Sequence, residues 1–82
     1  PFIGAITRYN GTILRINSAY VIEKRHNLTP GSICDTKGSF KVACGKDILE
    51  IDSVQYGGFF ISSGRDFVER VNPKKGEILY SE

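Results

Sequence analysis

Ile6-Thr7-Arg8-Tyr9-Asn10-Gly11-Thr12-Ile13-Leu14-Arg15-Ile16 decides the fold. Asn-Gly between two runs rich in β-branched residues marks a two-residue hairpin, because a type I′ turn needs positive φ at both central positions. Setting Tyr9 opposite Thr12 predicts the pairs Arg8 with Ile13, Thr7 with Leu14, Ile6 with Arg15, and Ala5 with Ile16. Side chains alternate along a strand. Ala5, Thr7, Leu14 and Ile16 therefore share the expected core face, and Ile6, Arg8, Ile13 and Arg15 the other. Two arginines among two isoleucines make that second face either solvated or a contact surface.

Working outward, the period lapses from Val21 to Thr29, where Glu23-Lys24-Arg25-His26-Asn27 reads as a loop closed by Pro30-Gly31. A second hairpin is expected from Ser32 to Ala43 around Asp35-Thr36-Lys37-Gly38. The turn Cys44-Gly45-Lys46-Asp47 leads into a strand from Ile48 to Val54, and Tyr56-Gly57-Gly58 reads as a flexible break before Phe59-Phe60-Ile61. Ser63, three residues before Asp66, can accept a first-turn N–H and start a helix over about Gly64 to Val71, with Phe67, Val68 and Val71 inward. Asn72-Pro73 ends it, Lys74-Lys75-Gly76 turns the chain, and Glu77 to Tyr80 forms a last strand.

That makes about six short strands and one late helix. Connections this short exclude a parallel sheet, whose crossovers need a dozen or more residues. The expected fold is all-β with one short helix: a small, partly open Greek-key barrel of the oligonucleotide/oligosaccharide-binding (OB) type, one domain spanning residues 1–82.

Composition agrees with a globular chain, at 40% hydrophobic and 24% charged residues. Its length allows one core and not two. No apolar stretch is long enough for a spanning helix and no leader is visible, so no membrane partner is expected. Methionine is absent and the chain opens on Pro1-Phe2, which suggests a piece of a longer protein. Cys34 and Cys44 are too few for a disulfide framework or a zinc site, and read as reduced, partly buried thiols of a cytoplasmic protein.

No catalytic, cofactor or metal site is expected from these residues. His26 is the sole histidine and sits in a charged loop without a partner, which argues for an exposed side chain with no role. Glu50 and Asp52 occupy the solvent side of one strand with Asp47 nearby, the ordinary place for charge. Gly57-Gly58 lacks the lysine and the strand-to-helix context of a phosphate loop and is better read as a turn. What remains is basic: Arg8 and Arg15 on the outer hairpin face, Lys74-Lys75, and Lys41 with Lys37. Eleven basic against nine acidic residues give +2. Arg8, Arg15, Lys41, Lys74 and Lys75 are the candidate RNA contacts, since small barrels of this type pair a charged groove with stacking aromatics.

Three stretches together resemble the C-terminal domain of the 10-formyltetrahydrofolate-dependent formyltransferases. They are Pro1-Phe2-Ile3-Gly4-Ala5 with its Asn10-Gly11 hairpin; Pro30-Gly31-Ser32-Ile33 followed by Val42 to Ile51; and Asp66-Phe67-Val68 with Lys75-Gly76-Glu77-Ile78-Leu79. The resemblance implies an OB-like barrel joined to an N-terminal Rossmann-like domain. That domain would hold the folate pocket and the catalytic Asn, His and Asp, none of which map here. It also implies 10-formyltetrahydrofolate as co-substrate of the parent and an acceptor-positioning role for this domain. The acceptor would be methionyl-tRNA, with Arg8, Arg15, Lys74 and Lys75 on phosphates that position without reading sequence. Two departures bear on the acceptor: Ile3 replaces a usual proline, and Tyr56-Gly57-Gly58-Phe59-Phe60 stands where the tRNA enzymes commonly carry Gly-Lys-Lys. A sugar-nucleotide or folate-processing relative is the second reading, and a free-standing nucleic-acid-binding OB module the third.

Overall fold

A computed structural model describes residues 6–22 and 25–81, and the expected Ala5–Ile16 pair lies outside them. Strands β1 (Ile6–Tyr9) and β2 (Thr12–Ile16) form the hairpin in the register read from Asn-Gly. Asn10 and Gly11 have φ of 57° and 78°, as the I′ turn requires. Thr7, Tyr9, Leu14 and Ile16 are buried, while Ile6, Arg8, Ile13 and Arg15 are exposed.

Beyond the hairpin come β3 (Ala19–Ile22), β4 (Ile33–Asp35), β5 (Phe40–Cys44), β6 (Asp47–Ile51), β7 (Val54–Tyr56), β8 (Phe59–Ile61), helix α1 (Gly64–Val71) and β9 (Tyr80–Ser81). They build two antiparallel sheets, in the orders β8-β7-β2-β1-β9 and β3-β6-β5-β4. In the second, three hairpin-linked strands return so that β6 lies beside β3, which is a Greek key. The all-β, open-barrel expectation holds, but the strands exceed six for three reasons.

First, Val21 and Ile22 belong to β3 rather than to the loop, paired with Leu49 and Ile48. Second, the stretch Ile48 to Val54 is two strands in two sheets. The break falls at Asp52-Ser53, where Asn17 and Ser18 donate backbone N–H groups to the Ser53 carbonyl at 2.8 and 3.1 Å and Asp52 N donates to the Ser18 carbonyl at 2.9 Å. The Ser18 hydroxyl also bonds Asp52 and Ser53, so both strands turn their corner together. Third, Gly57-Gly58 is a tight turn that pairs β7 with β8, not a flexible break.

The final strand is displaced as well. Residues 76–79 first bond the β4 region, through Gly76 N to Ile33 O, Ile33 N to Glu77 O and Leu79 N to Gly31 O. Only Tyr80 and Ser81 join β1. This segment therefore ties one sheet to the other. The β4–β5 register carries a bulge between Ile33 and Asp35, since Ile33 faces Val42 while Asp35 faces Lys41.

Leu14, Ile33, Phe40, Ile51, Val54 and Phe67 are fully buried in one core shared by both sheets and the helix. The helix boundaries are those read from the sequence. The Ser63 hydroxyl accepts from Asp66 N at 3.1 Å, and Asn72 closes the far end in the left-handed region with its N–H on Val68 O. Phe67 meets Phe40 at 4.8 Å between ring centroids and Tyr56 edge-on at 5.4 Å. No helix among the described residues is long and apolar enough to cross a membrane.

Candidate nucleic-acid interface

Each candidate cation is placed by a local rule. Arg8 and Arg15 stand on the outer face of the first sheet because the hairpin register sends Thr7 and Leu14 inward. Arg8 Nη1 donates to the Gly11 carbonyl at 3.3 Å, folding the guanidinium toward the turn. Lys74 and Lys75 are exposed on the turn before β9.

One carboxylate brings the hairpin and the lysine turn together. The Tyr9 hydroxyl donates to Glu77 Oε1 at 2.5 Å, and the same oxygen accepts from Lys74 N at 2.7 Å. Burial, followed by the bond to Glu77, pushes the Tyr9 hydroxyl up to about 12. The same two bonds, the Tyr9 hydroxyl first, hold the Glu77 carboxyl below its ordinary value. An open groove of about 600 Å³ results, lined by Arg8, Tyr9, Asn10, Gly11, Glu77 and Ile78.

Lys41 sits apart, on the second sheet, in a 3.5 Å ion pair with Asp35. The Asp35 carboxyl is held low mainly by the Lys37 backbone N–H, which it accepts in an Asx turn, and then by Lys41 and Lys75. Asp35 thus lies between the fields of Lys75 and Lys41. Arg8 lines the groove, Lys74 is tied to its Glu77 wall through a backbone N–H, Arg15 shares the outer face with Arg8, and Lys41 pairs with Asp35 on the second sheet.

The histidine and the thiols also have definite places. His26 is half-buried rather than exposed: its Nδ1 accepts from Leu28 N at 3.1 Å and its Nε2 meets the Asp47 carbonyl at 3.0 Å, pinning the loop to the β5–β6 turn. With Nδ1 accepting, Nε2 carries the proton. Cys34 and Cys44 are half-buried and form no disulfide, and burial first, then Asp47, raises the Cys44 thiol. Among the described residues no three His, Cys, Asp or Glu side chains converge as metal ligands.

Two features escaped sequence reasoning. The Tyr9–Glu77 clamp joins residues 68 positions apart, and no local pattern reports that. Phe59 and Phe60 stand out in the solvent; a signal existed, because adjacent strand residues point to opposite sides and cannot both enter one core.

The family model described as formyl transferase, C-terminal domain, matches residues 1–72. The chain belongs to the formyl transferase C-terminal domain family. Relatives extend the likeness across almost the whole chain. The methionyl-tRNA formyltransferase of Caldanaerobacter subterraneus subsp. tengcongensis is 34% identical over 79 residues, 96% of this chain. Those of Clostridium tetani and Alkaliphilus oremlandii are 39% and 35% identical, each over 80 residues. The stretch resembling this formyl transferase C-terminal domain is 26% of each of these relatives, so the chain spans about a quarter of their length.

Proposed function

We propose that the chain is the acceptor-positioning C-terminal domain of a cytoplasmic methionyl-tRNA formyltransferase, all of residues 1–82 forming that one domain. Catalysis then resides in a preceding Rossmann-like domain, which binds 10-formyltetrahydrofolate and transfers its formyl group to methionyl-tRNA. The observation that carries this is the 34–39% identity, over nearly the full chain, to proteins bearing that name. It favours the tRNA acceptor over the sugar-nucleotide and free-standing readings.

In this role Arg8, Arg15, Lys74 and Lys75 contact phosphates around the hairpin and lysine turn, with Lys41 as an outlying contact. The geometry supports the assignment: the Tyr9–Glu77 clamp holds the two basic segments in fixed relation, so an approaching backbone meets a preformed set of cations. The test is tRNA affinity of the full-length protein against salt. Alanine at Arg8, Arg15, Lys74 and Lys75 should weaken binding tenfold or more. It should also flatten the slope of log affinity on log salt by about one for each phosphate left without its cation. Unchanged affinity and slope would remove RNA from the role of this surface.

A further inference from the structure

We propose that the outer face of the five-stranded sheet holds an unpaired base of the RNA, with Phe60 as the stacking ring and Arg15 on the adjoining phosphate. The inference rests on the tRNA-facing reading above and deepens it. Cations around the groove need only a phosphate backbone, whereas exposed aromatic faces suit bases that are not already stacked in a duplex.

Three observations carry it. Phe60 is 62% exposed, although phenylalanine is a residue that folding normally buries. The backbone itself displays it: in edge strand β8 the register turns Phe60 to the outer face, while Phe59 and Ile61 take the side of Tyr56 and Val54. Next, the pairing lines up Ile6, Arg15, Gln55 and Phe60 as one cross-strand row on the outer face. Strand spacing sets Arg15 about 10 Å from Phe60, with the Gln55 amide between them as donor and acceptor for a base edge. Finally, none of the described outward residues of β1, β2, β7 and β8 is acidic. Ile6 and Ile13, 47% and 44% exposed, extend the apolar part of the platform. A ring, an amide and cations without a carboxylate complement a polyanion that presents π-faces.

The experiment measures binding of two probes to the full-length protein: an unstructured RNA hexanucleotide and a blunt RNA duplex. The wild type is compared with Phe60→Ala, Phe60→Leu and Arg15→Gln. Both Phe60 variants should lose about tenfold for the hexanucleotide while duplex affinity stays within about twofold. Arg15→Gln should weaken both probes and flatten their salt dependence. The leucine variant keeps apolar area and fold while removing the π-face. Wild-type hexanucleotide affinity in the leucine variant therefore overturns stacking, as does equal loss for both probes. So does a lowered melting temperature with RNA affinity intact, which would mean that another part of the same protein covers the face. If the wild type binds the duplex but the phenylalanine changes have no effect, stacking alone falls. If it binds neither probe, the tRNA reading falls with it.

Discussion

Tyr9 shows how much one side chain can join. Its ring packs against Tyr56 and Phe67, and its hydroxyl reaches Glu77 across the barrel. The pH consequences have definite signs. A pKa raised from 10.0 to about 12 means the folded state holds the phenol proton more tightly, so the stabilisation is whole below pH 10 and fades as pH rises toward 12. Glu77 behaves oppositely. Held below 4.5, it contributes above about that pH and loses the contribution as acid protonates it in the fold. Tyr9→Phe should therefore flatten both limbs of a melting-temperature profile, because the phenol is gone and Glu77 loses its chief partner. Thermal melts at about pH 3–7 and pH 9–12 check this. Retention of the wild-type slope on both limbs would deny the coupling.

At the scale of the element, α1 begins where two requirements meet. Ser63 supplies the cap, and Gly64 lies so close to β5 and β6 that an added Cβ would collide with the Ile51 carbonyl oxygen and crowd Phe40. Removing the cap by Ser63→Ala should cost about 1 kcal/mol. Gly64→Ala should cost more, about 1–3 kcal/mol, despite alanine's better helix propensity, because the helix must lift off the core. Denaturant midpoints of the two variants give the ranking directly. The reverse order would place the tightness elsewhere. The hairpin obeys purely local rules by contrast, since nothing lies within 4 Å of a Cβ added at Gly11 and its glycine answers only to the turn.

At the scale of the molecule, the barrel depends on a close approach between residues far apart in sequence. Gly31, at φ 93°, receives the Leu79 N–H on its carbonyl, and a Cβ there would stand 2.7 Å from the Leu79 carbonyl oxygen. Gly31→Ala should push residues 76–81 away from the β4 end. Amide exchange should quicken at Leu79 and Ile33, whose N–H groups cross that seam, before it quickens in β6. Uniform acceleration throughout the sheets would show that the seam opens only with the whole fold.

Several features were legible in the residues themselves because their causes are local. The I′ turn, the hairpin register and its two faces, the Ser63 cap and the helix limits each follow from steric or hydrogen-bonding rules over a few positions. Arg8, Arg15, Lys74 and Lys75 were legible as exposed charges for the same reason. The corner at Asp52-Ser53 was not, because its stabilising partners are Asn17 and Ser18, far away in sequence. The bulge in β4 and the migration of residues 76–81 from one sheet to the other likewise depend on long-range hydrogen bonds. The same holds for the site: sequence named Arg8, Lys41 and Lys74 alike, but only the folded chain put Arg8 on a groove whose Glu77 wall binds the Lys74 backbone, and paired Lys41 with Asp35. Short-range rules determined which residues point outward. Which of those residues share a surface was decided by tertiary structure, since a barrel brings distant segments together through contacts that no local pattern encodes.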